Sequence, residues 1–98
     1  MPIRTTVITR RPDQSAEFFN LEPSARQYFL DTYETSGLMT RSVTLSPDQL
    51  EQTVVREFVD EAAFRKYQTD DASQRAKLAR EIYNEPLGHV TTFKLEHV

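Results

Sequence analysis

Apolar and polar residues alternate along four stretches of the chain, which is the pattern of half-buried β-strands. The stretches are rich in Val, Ile and Thr, which suit a pleated surface, and they cover residues 3–10, 38–45, 50–59 and 89–98. Pro12 and Asp13 end the first stretch, because proline cannot donate to a ladder and Pro-Asp is turn chemistry. Four turn-forming residues, 46–49, separate the second stretch from the third, so these two are predicted to form a hairpin.

Between the first two strands the apolar spacing changes to that of a helix. Pro23 suits a first helical turn, whose amides have no intrahelical acceptor. Gly37 is predicted to end the helix in the left-handed conformation. Phe18 and Phe19 precede the helix and are expected to pack under the edge of the sheet. The predicted helical face, at i, i+3, i+4 spacing, consists of Ala25, Tyr28, Phe29, Thr32 and Tyr33.

A second helical region follows the third strand. Asp60 is predicted to cap it, and Asp70 or Asp71 to cap a continuation after a break at residues 69–71. Pro86 and Gly88 are predicted to stop the helix. Its predicted buried stripe is Ala76, Ala79, Ile82 and Tyr83. The side chains predicted to meet solvent are Arg75, Lys77, Arg80 and Glu81.

The order of elements is β, α, β, β, α, β, which is the arrangement of ferredoxin-like α+β sandwiches. We therefore predict a single domain over residues 1–98, with a four-stranded antiparallel sheet and both helices on one face. The predicted core consists of Val7, Tyr28, Phe29, Tyr33, Val43, Phe58, Phe64, Tyr67, Ala79, Ile82, Tyr83 and Phe93.

The second face of the predicted sheet is polar and has no helix to cover it. It mixes threonines with the charged residues Arg4, Arg10, Arg56, Glu57 and Lys94. A sheet face that is not packed on helices meets either solvent or a partner. We expect a homodimer through this open face, and the polar cleft between two such sheets would suit a small polar or anionic ligand.

Composition and charge exclude several classes of function. The chain has no cysteine, which excludes disulfides, thiolate metal sites and thiol catalysis. No apolar run approaches the roughly 18 residues of a membrane span, and the N-terminus lacks the apolar core of a signal peptide. The net charge of −3 argues against nucleic acid as a partner. The only feature that favours nucleic-acid binding is the cluster of Arg4, Arg10 and Arg11 near the N-terminus. We expect a cytoplasmic protein.

The junction between the third strand and the second helical region resembles that of a known family. Residues 55–67 read V-R-E-F-V-D-E-A-A-F-R-K-Y: a strand ending in an aromatic, a capping Asp, then Glu-Ala-x-aromatic. This pattern, over residues 53–98, resembles the dimeric α+β-barrel superfamily, whose best-known members are antibiotic-biosynthesis-monooxygenase-like proteins. The resemblance implies two ferredoxin-like subunits whose sheets face each other and close a barrel. The chain also looks like short uncharacterised proteins of T4-like marine phages, which implies the cytoplasm of a host.

The resemblance brings no cofactor with it. Haem-degrading members of that superfamily use an Asn, a Trp and a His around the haem, and this chain has no tryptophan. No cofactor-binding residue is carried over. No metal site is predicted either, because His89 and His97 are eight strand residues apart. Helix capping accounts for the pair Asp70 and Asp71 without a bound cation.

Three side chains remain as weak candidates for catalysis. His89, at the start of the last strand, has the titration range of a general base, although a solvated loop histidine is the simpler interpretation. Tyr67 and Tyr83 have the chemistry of an acid or an oxyanion donor, but tyrosines at helical spacing more often belong to the core. No catalytic residue is therefore assigned.

Three functions are compatible with these observations. The first is a small non-enzymatic accessory or interaction protein acting as a homodimer, since no set of reactive side chains converges in the sequence. The second is a cofactor-free, monooxygenase-like enzyme with a small-molecule cleft between helices and sheet, which rests on the resemblance alone. The third is a weak nucleic-acid-binding module, which rests on the basic start of the chain.

Overall fold

The computed structural model describes all 98 residues and contains the predicted order of elements. The strands are β1 (Ile3–Arg10), β2 (Met39–Leu45), β3 (Glu51–Phe58) and β4 (Val90–His97). They form one antiparallel sheet in the order β2-β3-β1-β4. This is the ferredoxin-like α+β fold that the order of elements predicts.

The helical regions form three helices rather than two. α1 (Pro23–Phe29) continues into a π-helical turn (Leu30–Glu34). The second region divides at Asp70 into α2 (Glu61–Thr69) and α3 (Asp71–Leu87). None of these helices combines the length and the apolarity needed to cross a bilayer.

Capping residues that the sequence marks set most helix boundaries. The side chain of Asp60 accepts a hydrogen bond from the amide of Ala63 at 2.8 Å, and that of Asp70 accepts one from the amide of Ala72 at 2.9 Å. Each carboxylate satisfies an amide that the first helical turn leaves free. Gly37, with φ of 82°, has the predicted left-handed conformation but does not end the helix, which stops at Glu34; the glycine lies in the turn that follows.

The end of α3 differs from the prediction at one residue. Pro86 does not stop the helix but lies inside its last turn. There it removes a single intrahelical hydrogen bond, which the final turn tolerates. The helix ends at Gly88, whose φ is 73° and whose amide bonds to the carbonyls of Asn84 and Glu85.

The apolar core fills only one end of the space between the sheet and the helices. It consists of Phe29, Tyr33, Met39, Phe58 and Ala63. The core prediction is confirmed for Val7, Phe29, Tyr33 and Phe58, which are buried. Three predicted members are only partly buried, namely Phe64, Tyr67 and Tyr83. The prediction is wrong for five exposed residues, because a helical or strand period does not show that the facing space is filled: Tyr28, Val43, Ala79, Ile82 and Phe93.

α3 turns a different face to the sheet from the one predicted. The row that faces the sheet, with members four residues apart, is Ala72, Ala76, Arg80 and Asn84. The prediction that Arg80 meets solvent is therefore wrong, and Ile82 is 64% exposed on the other side of the helix. The apolar pattern misleads here because the space beneath α3 is open, so it accommodates polar side chains.

Strand register determines which side chains share the helix-facing side of the sheet. Arg41 of β2 lies opposite Arg56 of β3, which lies opposite Thr5 of β1. Thr5 is buried under the helices, so Arg56 opposite it and Arg41 opposite Arg56 point to the same side. Arg56 therefore does not belong to the open face. The other charged residues predicted for the open face do belong to it, namely Arg4, Arg10, Glu57 and Lys94.

Candidate ligand-binding site

A cavity of about 1040 Å³ lies between the helix-facing side of the sheet and the helices. Its volume is at the upper end of the usual range for small-molecule sites. Apolar side chains line the part next to the core, among them Phe29, Met39 and Phe58. Phe93, which is 63% exposed, and the exposed Lys77 of α3 lie where the cavity meets solvent. The sheet and the helices therefore border a half-open space that the apolar core does not fill.

Three arginines from three elements line this cavity without an ion-pair or hydrogen-bond partner. They are Arg41 of β2, Arg56 of β3 and Arg80 of α3, and none of them makes a hydrogen bond or an ion pair within the chain. The guanidinium of Arg56 lies 5.7 Å from the centre of the Tyr67 ring, which gives it a cation–π contact but no counter-charge. The cavity thus holds three cations that form no ion pair with a carboxylate.

The electrostatic environment of the arginines shows the same imbalance. Burial lowers the pKa of Arg41, and the nearby charge of Arg56 lowers it further. Burial likewise lowers the pKa of Arg80, with the charge of Arg56 again adding to the effect. Both side chains stay protonated, because arginine titrates far above neutral pH. The charges of Glu34 and Glu81 act in the opposite direction on Arg41 and Arg80, respectively, but do not cancel the effect of burial and of the neighbouring arginine.

A fourth arginine on the same cavity is neutralised. Arg26 of α1 donates to Glu34 at 2.6 Å, and both side chains line the cavity. The π-helical turn that ends at Glu34 brings the carboxylate back to an arginine eight residues earlier in the chain. In total, five basic and three acidic side chains line the cavity, whereas the whole chain carries a net charge of −3. Positive charge is therefore concentrated at this site.

His89 lies on the same cavity and has one unused ring nitrogen. The residue is 8% exposed, and Nδ1 lies 3.1 Å from Oδ1 of Asn84. Nε2 is buried and has no hydrogen-bond partner. The rings of Phe18 and Tyr83 pack against the imidazole, each with a centre-to-centre distance of 6.0 Å. The interpretation of His89 as a solvated loop residue is therefore wrong: the turn at Gly88 buries it.

The other two catalytic candidates occupy different positions. Tyr67 lines the cavity beside Arg56. Tyr83 does not line it: its hydroxyl donates to the carbonyl of Glu17 at 2.8 Å, and its ring packs on Phe19 at 5.5 Å. The structure therefore brings His89 and Tyr67 to one cavity and places Tyr83 behind it, where it holds the segment before α1.

The sequence-based reasoning missed the arginines, although strand parity contains a signal for two of them. Arg41 lies two residues from the buried Met39, and Arg56 two residues from the buried Phe58. Residues two apart on a strand share a face, so both arginines follow the core side of their strands. Arg80 has no such signal, because its helix lacks a continuous apolar face.

The remaining motifs have structural roles. Asp70 caps α3, as predicted, and its Oδ2 accepts hydrogen bonds from the hydroxyls of Tyr28 at 2.6 Å and Tyr33 at 2.7 Å. Arg4 and Arg10 pair with glutamates across the strands, and the buried Arg11 donates to backbone carbonyls. The basic residues that suggested nucleic acid are thus engaged within the chain.

The fold has solved relatives with very different sequences. SnoaB, a cofactor-independent oxygenase from Streptomyces nogalater, matches with a TM-score of 0.62 and 12% identity over 99% of this chain and 92% of that one. Rv0793 from Mycobacterium tuberculosis matches with a TM-score of 0.53 and 13% identity over 100% and 95% of the two chains. No protein-family model and no curated protein matches the sequence. The structural comparisons thus confirm the fold that the sequence resemblance implies.

Proposed function

We propose that this protein binds a small organic anion in the cavity between its sheet and its helices. The observation that carries the proposal is the convergence of Arg41, Arg56 and Arg80 on one cavity without a carboxylate partner. Arginine presents planar forks of donors that match the oxygens of a carboxylate or phosphate. Half-buried cations that repel one another destabilise the empty site, and an anionic ligand removes that cost.

The lining of the cavity also constrains the remainder of the ligand. Beside the arginines lie apolar and aromatic side chains, including Phe29, Met39 and Phe93. Such surfaces favour hydrocarbon or ring systems, and the few polar groups fix orientation. An inorganic anion would leave this apolar part in contact with water only. The arrangement therefore favours an anionic group attached to an apolar body.

A protein that binds such an anion without converting it would be a non-enzymatic accessory protein, which is the first function predicted from the sequence. The second candidate function is cofactor-free catalysis. The enzyme hypothesis requires an enclosed space with at least one titratable group, and the cavity holds His89 and Tyr67. SnoaB, which shares the fold, is a cofactor-independent oxygenase. Consumption of a bound anion by the purified protein, with no cofactor added, would favour the enzyme; unchanged recovery would favour the binding protein.

The binding proposal is tested with a matched pair of probes, 2-naphthoate and the neutral 2-naphthamide. By isothermal titration calorimetry, we expect the anion to bind at least about tenfold more tightly, since a charged hydrogen bond contributes about 1.5–3 kcal/mol. Arg56→Gln removes one cavity charge and should weaken 2-naphthoate by about tenfold or more. Arg75→Gln is the control, because Arg75 is exposed on α3 and does not line the cavity.

Two outcomes contradict the proposal. One is equal affinity for the amide and the carboxylate, which shows that the arginines do not recognise charge. The other is an equal loss of affinity in Arg56→Gln and Arg75→Gln, which shows that only the overall charge of the protein matters. Repeating the titration at higher ionic strength separates these cases, since surface charges are screened more strongly than buried ones.

For assembly, we propose a homodimer through the open face of the sheet. No helix covers this face, and cross-strand ion pairs lie on it, Arg4 with Glu57 at 3.3 Å and Arg10 with Glu51 at 3.0 Å. Val55 occupies the same face between the pairs and is only half-exposed. A twofold axis over the face would place like patches against each other, as in isologous interfaces.

A further inference from the structure

We propose that the anion is a phosphate monoester, whose phosphate group is held by two arginines of the sheet on one side and by Arg80 of α3 on the other. This inference rests on the proposed function, because it concerns the same cavity and the same arginines. It narrows the ligand class from organic anions in general to a tetrahedral dianion attached to an apolar body.

The first step is a pair of like charges on the sheet. Arg41 of β2 lies directly opposite Arg56 of β3, and both side chains line the cavity. The Cβ atoms of directly opposed residues are about 4.5–5.5 Å apart, and like charges in such positions are destabilising. On the open face of the same sheet, Arg4 and Arg10 instead pair with glutamates on the neighbouring strand. An anion from outside the chain would supply the counter-charge that the helix-facing pair lacks.

The second step is the position of the third arginine. Arg80 belongs to the row of α3 that faces the sheet, so it enters the cavity from the layer opposite Arg41 and Arg56. Burial lowers the pKa of Arg41 and of Arg80, and the charge of Arg56 lowers both further, so Arg56 lies near each of them. Glu81 follows Arg80 in the chain, but adjacent helix positions do not face each other and no ion pair joins the two.

The third step is the shape of the anionic group. A carboxylate is planar, and a single guanidinium fork binds both of its oxygens. A phosphate group offers three acceptor oxygens that do not lie in one plane with the phosphorus atom, so donors reach it from more than one side. Arginines that approach from both the sheet and the helix layer therefore match a phosphate group better than a carboxylate.

The fourth step is the charge. Five basic and three acidic side chains line the cavity, which leaves two positive charges in excess. A phosphate monoester carries about −1.5 to −2 charges at neutral pH and so matches this excess, whereas a carboxylate or a sulfonate carries a single charge. The apolar lining, which includes Phe29 and Met39, favours an ester with a hydrocarbon or ring system over inorganic phosphate.

The test compares four probes on the native protein by isothermal titration calorimetry at about pH 8, where the ester is dianionic. They are 2-naphthyl phosphate, 2-naphthalenesulfonate, 2-naphthoate and inorganic phosphate. We expect the phosphate ester to bind at least about tenfold more tightly than the tetrahedral monoanion or the planar one, because it makes an additional charged hydrogen bond. Inorganic phosphate should bind at least about tenfold more weakly than the ester, because it buries no apolar surface. This comparison needs no variant and is independent of folding defects.

Variants then assign the preference to the arginine of the helix layer. Arg80→Gln should reduce the ratio of phosphate-ester affinity to carboxylate affinity by about fivefold or more, because the dianion loses more from a missing charged donor. Arg80→Lys keeps the charge without the planar fork and should retain part of the ratio. Arg75→Gln is the matched control, because it removes the same charge from the exposed side of α3 and should leave the ratio unchanged.

The outcomes separate this inference from the proposed function. If 2-naphthoate binds and the phosphate ester has no advantage over the sulfonate, the dianion is overturned and the anion site stands. A preference for the ester that is equally large in Arg80→Gln overturns the role of the third arginine. Inorganic phosphate that binds as tightly as the ester overturns the apolar body. If none of the three aromatic probes binds, the anion site fails and this inference fails with it.

Discussion

At the scale of single residues, Asp70 connects three parts of the structure. Its Oδ1 caps α3 through the amide of Ala72, while its Oδ2 accepts from the hydroxyls of Tyr28 and Tyr33, which belong to α1 and the π-helical turn. Tyr33 is fully buried, and burial together with the neighbouring Asp70 raises the pKa of its hydroxyl. One carboxylate therefore holds the start of α3 against the first helical region.

We expect Asp70→Asn to lower the free energy of unfolding by about 1–2 kcal/mol, because asparagine keeps the cap but loses the acceptor for the two tyrosines. Asp71→Asn is the control, since the exposed Asp71 makes no side-chain hydrogen bond. Urea unfolding followed by circular dichroism measures both changes. An equal effect of the two substitutions would contradict the role given to Asp70.

The same contact predicts a pH dependence. Burial raises the pKa of Asp70, but hydrogen bonds from Tyr28, Tyr33 and the amide of Ala72 outweigh it, so the pKa lies below its usual value. A depressed pKa contributes stability above the unfolded-state pKa, about 3.9 for aspartate, and this stability is lost as the pH falls through the folded-state pKa. The difference between native protein and Asp70→Asn should be full at neutral pH and shrink in acid. A difference that grows in acid would contradict the sign.

At the scale of elements, the sequence is sufficient for the order of the strands and helices, because turns, caps and periodicity each mark them. Asp60, Pro23 and Gly88 are examples, and each acts at the element end that it marks. The face of α3 is not predictable in this way. Its exposed Leu78 and Ile82 form the more apolar side, whereas Arg80 faces the sheet. Periodicity assumes a filled core, and here the helix covers a cavity.

The π-helical turn carries Glu34, and removing its charge tests whether the positive charge of the cavity controls anion binding. Glu34 neutralises Arg26 on the cavity, so Glu34→Gln frees a fourth cation. We expect 2-naphthoate to bind this variant about fivefold more tightly, which corresponds to about 1 kcal/mol of binding free energy. Loss of the ion pair should lower the free energy of unfolding by up to about 1 kcal/mol. Calorimetric titration measures the first effect and urea unfolding the second. Weaker binding in Glu34→Gln would contradict the electrostatic account.

At the scale of the whole molecule, the polar sheet face and the arginine cavity lie on opposite sides of the sheet. Residues of one strand alternate between them: Thr6 and Arg4 face outward, while Thr5 and Val7 face the helices. The alternation of residues along each strand reveals from the sequence that the sheet has two different faces. It does not reveal which of the two faces a partner covers. The proposed dimer uses the outer face and leaves the cavity accessible from the side of α3 and β4.

We expect light scattering after size-exclusion chromatography to give a mass of about twice 11.4 kDa. Val55→Glu places a charge on the outer face and should shift the protein toward the monomer, since a desolvated unpaired charge opposes association. Ile82→Glu, on the exposed side of α3, is the control. A monomeric native protein, or dissociation by the control alone, would contradict an interface on the sheet.

The central claim concerns the place where an anion binds, and it is tested most directly by titrating isotope-labelled protein with 2-naphthoate and following the resonances of the arginine side chains and backbone amides by NMR. The account predicts shifts of the Nε–Hε signals of Arg41, Arg56 and Arg80, together with amide shifts along the helix-facing side of the sheet. Shifts confined to residues of the open face, such as Thr6, Thr40 and Lys94, would contradict it.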